Sequence, residues 1–265
     1  EFHDFIECFG LPNFTYAETF SNAVRRNRTP RVFTANEAPP EIEIFLHHEM
    51  AQTLVFPGQL FFFCEQAPTD GGATPIGRSD LALTALETAQ PDFVAKLRNL
   101  GVRYRNAMPD SADLASGQGR SWRDTLNVTD RKRAEQRLTE LGYNFRWLDN
   151  GGISVQTPPL LAVDEFGRGK EVFFNQIVAA AAGWTKDESD EEPRLCYGDY
   201  SRIDQDDLKA AIAACYEHTV DLEWQTGDIA LLDNLKVMHG RRPFSGNRSI
   251  LASLCTPISR PSLAS

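Results

Sequence analysis

His47 and Glu49 are the residues whose types and spacing first suggest chemistry. Side chains alternate faces along an extended backbone. Within Phe45-Leu46-His47-His48-Glu49-Met50 the His47 imidazole and the Glu49 carboxylate therefore share a face, while His48 points away. Two ligands from one short segment and one distant His make a 2-His-1-carboxylate set. Such a set holds non-haem Fe(II) by three positions and leaves three open. Taken alone, the triplet also fits a polar strand end with a chance pair of histidines. A distant His is present: the apolar run Ile229–Leu232 leads through a turn-like Asp233-Asn234 to His239. Nine residues on, Arg248 opens the apolar run Ile250–Leu254. That interval suits a metal-bound 2-oxo acid, with His239 on the metal and the guanidinium forked onto the far carboxylate. Arg248 also fits a pair with a distant acid, or a solvent-facing turn after Asn247.

Further segments in the same order carry a resemblance. They are His47-His48-Glu49-Met50-Ala51-Gln52, Leu60-Phe61-Phe62-Phe63-Cys64-Glu65, Gly71-Gly72-Ala73-Thr74-Pro75-Ile76, Phe173-Phe174-Asn175, Val178-Ala179-Ala180, and Arg241-Arg242-Pro243-Phe244 with Leu251-Ala252-Ser253-Leu254. On these residues the chain resembles the taurine dioxygenase and clavaminate synthase group of Fe(II)/2-oxoglutarate oxygenases, nearest the plant and microbial clavaminate synthase-like proteins. The resemblance implies a double-stranded β-helix, a cupin-related jelly roll, with His47, Glu49 and His239 as metal ligands and catalytic centre. It assigns Thr74, in Gly-Gly-x-Thr, a hydrogen bond to the co-substrate. It also implies further N-terminal sequence ahead of Glu1.

The elements that must position these groups are legible in part. Glu41-Ile42-Glu43-Ile44 alternates and reads as the strand entering the ligands; Pro57-Gly58 reads as a turn, and Leu60–Cys64 as a strand covered on both faces. Asp80 is placed to cap a helix over Leu81–Ala89, and Pro91 to begin one through Leu100 that Gly101 stops. Thr129 or Asp130 caps a charged helix from Arg131 to Leu141, and Asp204 one from Asp206 to Glu217. Strand patterning returns at Ile153–Thr157, Leu160–Val163 and Glu171–Phe174, with a hairpin turn at 164–169. The cluster Arg25-Arg26-Asn27-Arg28 reads as a solvated loop. Short strands with helices between them predict a mainly β fold with helical insertions. No repeat or linker interrupts it, so one domain over 1–265 is expected.

Composition bounds the partners. A net charge of −10 speaks against nucleic acid. No apolar run reaches the length of a membrane span. Five cysteines, an odd count without a Cys-x-x-Cys pair, fit reduced thiols and a cytoplasmic location.

For function, the resemblance implies a dioxygenase using Fe(II), 2-oxoglutarate and O2 to hydroxylate an unactivated C–H bond. Its substrates in the family are small molecules, among them free and carrier-bound amino acids, so a carrier protein is one partner it allows. Desaturation or ring closure starts from the same oxidant. Halogenases of the wider group lack the carboxylate that Glu49 supplies. Substrate-facing candidates are Asn175, Trp122 and Arg242, with Arg241 and Gln176 beside them. Trp122 fits a lid anchor or ordinary packing, Asn175 the site or a neighbouring backbone, and Arg241-Arg242 the site or salt bridges behind it. Two further readings use the same ligands: a non-catalytic cupin-like binder, and a zinc hydrolase. Neither has a use for Arg248.

Overall fold

The computed structural model describes residues 1–15, 25–35, 38–112, 119–182, 193–260 and 263. Two antiparallel four-stranded sheets carry the fold. The first runs in the order Phe33–Thr34, Ser249–Ser259, Val55–Gln66, Ile229–Asp233. The second runs Thr219–Leu222, Thr74–Arg78, Val237–Arg241, Ile44–His47. Their facing sides share one apolar cluster. Leu60, Phe62, Ile250, Ala252 and Leu254 of the first sheet meet Ile76, Leu222 and Val237 of the second. This is the jelly-roll arrangement that the family resemblance implies, with the helical insertions that the sequence pattern predicts.

Alternation along the strands sets what covers the outer faces. On the first sheet Phe61, Leu251 and Cys255 point outward and are covered by Phe2 and Ile6 of the helix Phe2–Glu7. On the second, Leu46 and Met238 point outward into a cluster with Ala82, Leu83 and Leu86 of the helix Ser79–Ala89 and Ala211, Ala214 and Cys215 of the helix Gln205–Glu217. The strand Leu60–Cys64 is thus covered on both faces, as its unbroken apolar run predicts. A third sheet, in the order Leu195–Tyr197, Val102–Met108, Ile153–Gln156, Asn144–Trp147, packs with the helices Trp122–Leu126 and Arg131–Glu140 around a separate cluster.

Several local expectations hold. The helix Pro91–Leu100 ends on Gly101 at φ 63°, Asp130 accepts from the Arg133 N–H, and Asp204 accepts from the Asp206 N–H. Others are corrected. Pro57 and Gly58 lie inside the strand Val55–Gln66, where Pro57 faces Pro257 on the neighbouring strand. Two prolines opposite each other ask no ladder hydrogen bond of one another, so the strand runs through them. Asp80 does not cap its helix; it is bound by Arg78 and Lys170. Residues 41–42 are a turn, and the strand that follows begins at Ile44.

Candidate metal centre and co-substrate pocket

His47 ends its strand and sits directly opposite His239 on the adjacent one, with ring centroids 4.5 Å apart. The pairing shifts register just beyond, between His239 and Arg241. Gly240 makes that shift possible, because a Cβ there would overlap the Ile44 carbonyl oxygen. Glu49 lies past the strand end, in a turn where Met50 takes φ 60°. The expected shared face is therefore reached by a turn and not by a continued strand. What holds the turn is Asn234, fully buried between the strands Ile229–Asp233 and Val237–Arg241. Its Oδ1 accepts from the Glu49 N–H at 2.8 Å, and its Nδ2 donates to Glu49 O at 3.0 Å and Pro57 O at 2.7 Å. Sequence reasoning saw only a turn residue there.

The three side chains converge. One ligand atom from each of His47, Glu49 and His239 lies within 4.8 Å of the others. Glu49 Oε2 is 3.6 Å from His239 Nε2 and 4.0 Å from His47 Nε2. Two bonds of about 2.1 Å to a shared ion span at most about 4.2 Å, so these separations suit one ion. His47 Nδ1 donates to the Phe45 carbonyl at 2.8 Å. A neutral ring with its proton on Nδ1 keeps a lone pair on Nε2, the state a metal requires. Burial, and then the neighbouring His239 ring, pull the His47 pKa down to about 4, so the ring is neutral at pH 7. Burial alone would raise the Glu49 pKa, but the Arg25 charge and the two imidazoles hold it well below the carboxylate range. The donor set therefore fits a divalent metal.

His48 faces away, as alternation predicts. It is fully buried against Phe174, with ring centroids 4.6 Å apart, and its Nδ1 accepts from the Asn175 N–H at 3.1 Å. Arg25, read from sequence as part of a solvated loop, instead reaches the centre. Its Nη2 donates to Glu49 Oε1 at 2.7 Å, with both side chains under a tenth exposed.

The co-substrate candidates lie nearby in the fold. Gly71 and Gly72 both take φ 70°, and the Gly72 carbonyl accepts from Arg248 Nε at 3.1 Å. Thr74, two residues on, is buried and its Oγ1 accepts from Trp224 Nε1 at 2.9 Å. That bond leaves the Thr74 hydroxyl hydrogen without an acceptor among the described residues. Arg248 is half-buried over the Phe244 ring and has no carboxylate within ion-pair distance among the described residues. Burial and the like charge of Arg241 draw its pKa down to about 10. Arg26, Arg28, Arg241, Phe244 and Arg248 line one cavity of about 360 Å³.

The proposed substrate contacts fare differently. Asn175 is fully buried and bonded to its own backbone surroundings, donating to Phe173 O and accepting from the Ile177 N–H, both at 2.8 Å. Trp122 is fully buried in the third cluster, edge-on to Trp147, with its Nε1 donating to Asp110. It packs a helix and is no lid anchor. Residues 113–118 of the loop preceding it lie outside the described residues. Arg242 is held by Asp221 and by Glu43, whose Oε1 is 2.9 Å from Nη1, in the salt-bridge arrangement behind the site. Arg241 donates to the carbonyls of Ala38, Pro39 and Ile42, and Gln176 to that of His48.

Comparison with known proteins agrees with this geometry. The family model described as taurine catabolism dioxygenase TauD, TfdA family matches residues 1–254. A clavaminate synthase-like protein of Arabidopsis thaliana is 38% identical over 257 residues, covering 96% of this chain and 77% of the relative. The dapdiamide synthesis protein DdaC of Enterobacter agglomerans is 26% identical, covering 97% and 78%. Among solved structures, a provisionally described alpha-ketoglutarate-dependent taurine dioxygenase from Burkholderia xenovorans shares the fold at a TM-score of 0.50 and 14% identity, covering 98% of this chain and 77% of that one. A match over nearly the whole length places the chain in the TauD/TfdA family, as a dioxygenase dependent on Fe(II) and 2-oxoglutarate.

Proposed function

We propose that the chain hydroxylates an unactivated C–H bond of a small molecule, with His47, Glu49 and His239 holding Fe(II) and Thr74 and Arg248 holding 2-oxoglutarate. The convergence of one Glu49 oxygen and two imidazole Nε2 atoms at 3.6 and 4.0 Å supports the metal ligands. The co-substrate role rests on Arg248. A guanidinium drawn out of water without a carboxylate partner is costly, and the distal carboxylate of a bound dicarboxylate removes that cost by a two-point charged hydrogen bond. Thr74 adds a hydroxyl donor to the same oxygen cluster. Fe(II) held by His47, Glu49 and His239 would supply the oxidation, in which 2-oxoglutarate and O2 give succinate and CO2 and the second oxygen atom goes to the substrate. The protein's share is to keep His47 neutral, to aim Glu49 and to fix the dicarboxylate. Phe62, whose ring lies 5.4 Å from that of His239, and Ile250 on the cavity wall add the apolar surface that would limit water there.

The substrate we infer is an amino acid or a similar small acid, free or carried on a partner protein. The 26% identity to a protein of dapdiamide synthesis supports a small-molecule substrate, and the arginine-lined cavity suits acidic groups. Incubation of iron-loaded protein with 2-oxoglutarate and O2, without prime substrate, should release succinate slowly. Folded, iron-loaded protein that releases none after admission of O2 would refute the reading.

A further inference from the structure

The metal site contains a charged group that the ligand set does not require. Arg25 is carried by a hairpin-like segment in which the Arg26 carbonyl accepts from the Thr34 N–H and the Arg28 N–H donates to Val32 O. That segment is anchored to the first sheet, where Phe33 and Thr34 pair with Ala252 and Leu251. From there the Arg25 guanidinium lies over the Phe33 ring, 5.1 Å from its centroid. Its Nη2 donates to Glu49 Oε1 at 2.7 Å. Phe33 is itself buried in the shared core, so the guanidinium is supported from behind by a fixed ring.

The two oxygens of Glu49 thus have different partners. Oε1 faces Arg25, and Oε2 faces both imidazoles. A carboxylate can take one or two positions on a metal. An ion held by His47, Glu49 and His239 would need its remaining positions for co-substrate and O2, and a carboxylate gripping with both oxygens would take one of them. Asn234 fixes the Glu49 backbone, and among the described residues Arg25 is the partner that holds Oε1 and so fixes how the carboxylate is turned.

From this geometry we infer that Arg25 is a positioning residue: it holds Oε1 away from the ion so that Glu49 offers Oε2 alone. The inference rests on the metal reading of His47, Glu49 and His239. Two effects of the guanidinium oppose each other. Its charge repels a metal cation, and its hydrogen bond pre-aims a carboxylate that is otherwise free to rotate at the end of two methylenes. In a site this buried the orienting effect wins, because outer partners of metal ligands are worth tenfold to a hundredfold in affinity.

The test is the Co(II) dissociation constant of the full chain, read from the visible spectrum of the bound ion. Arg25→Ala should weaken Co(II) binding by about tenfold to a hundredfold. Arg25→Lys, whose ammonium still donates to Oε1, should recover most of that loss. Circular dichroism and a melting curve check the fold of each variant. Should Arg25→Ala fail to fold, Arg25→Met, which keeps the bulk and has no donor, takes its place, and an affinity within about threefold of wild type overturns the inference. So does an Arg25→Ala affinity equal to wild type, or a Lys variant no better than Ala. Loss of Co(II) binding in the wild type would bring down the metal reading and the inference together. Normal wild-type binding with an indifferent Arg25→Ala brings down the inference alone.

Discussion

At the scale of the residue, the arginines of this chain show how one side-chain type serves four purposes. Arg242 is paired with Asp221 and Glu43, Arg25 with Glu49, and Arg241 donates to three backbone carbonyls. Among the described residues Arg248 has no carboxylate partner, and its Nε donates to the Gly72 carbonyl. Replacing Arg248 with Lys keeps the charge and loses the fork. The dissociation constant for 2-oxoglutarate on the metal-loaded protein should rise about tenfold to a hundredfold, or roughly 1.5–3 kcal/mol for a charged hydrogen bond. Calorimetric titration reads this, with Arg242→Ala as the comparison whose 2-oxoglutarate affinity should stay as in wild type. An Arg248→Ala variant that still binds 2-oxoglutarate normally would take Arg248 out of the pocket. The histidines divide in the same way. His47→Ala should lose stoichiometric metal binding and His48→Ala should keep it, because the two rings lie on opposite faces. His48→Ala should nonetheless melt lower, since it opens space against Phe174 and leaves the buried Asn175 N–H without its acceptor. Equal metal loss in both variants, measured by titration on folded protein, would contradict that division.

Among elements, the decisive one is the turn at Glu49–Thr53. Asn234 holds it with three bonds to Glu49 and Pro57 while its own N–H donates to Gly58 O. Truncating it in Asn234→Ala strands the Glu49 N–H and two carbonyls in a fully buried place. Each buried group left unpaired costs about 1–3 kcal/mol, so a loss of about 3 kcal/mol or more is expected, together with weaker metal binding because Glu49 is no longer aimed. Denaturant unfolding and metal titration on the same variant check both, and a fall in neither would show that the turn holds itself. This element also marks where sequence reading stops. The His-x-Glu spacing together with the family resemblance was enough to single out His47, Glu49 and His239, which the structure brings together. Alternation, a local property, gave the side on which His48 lies, although Glu49 reaches the site by a turn that alternation does not foresee. The helices with an Asp or Pro at the first turn were legible for the same reason. Asn234 and Arg25 were not legible, since nothing local distinguishes an Asn in a turn that reaches across to Glu49 from one that merely turns. A basic cluster likewise carries no sign that one of its members points inward. Trp122 and Asn175 failed in the opposite sense. Each is a residue type that suits a site, but tertiary packing put one in a separate core and the other against its own backbone.

For the molecule as a whole, burial of two neutral histidines makes metal-free stability depend on pH. In the folded chain the His47 pKa is drawn down to about 4, chiefly by burial, and His48 is drawn well below its ordinary value for the same reason. In the unfolded chain both titrate near the ordinary value of about 6.5. Between those limits the unfolded state binds protons that the folded state refuses. Stability is therefore full above about pH 6.5 and declines as the pH falls toward 4. Glu49 adds a second decline lower down, since its carboxylate is held below the ordinary range and protonates more readily once unfolded. By pH 5 the His47 contribution alone amounts to about 2 kcal/mol. At about 2–4 °C per kcal/mol for a chain of this size, the Tm of metal-free protein should drop by about 4–8 °C or more between pH 7 and pH 5. His47→Gln removes that titration and should show a shallower decline, although its Tm at pH 7 need not match wild type. Bound metal should steepen the wild-type dependence, because an ion that needs an unprotonated imidazole and an ionised carboxylate competes with protons for both. Differential scanning fluorimetry across pH 5–8, with and without Co(II), separates the two contributions. A metal-free Tm that stays level from pH 7 to pH 5 would mean that the histidines take up protons in the folded state, and so that His47 is far more open to water than its position between Phe45 and His239 allows.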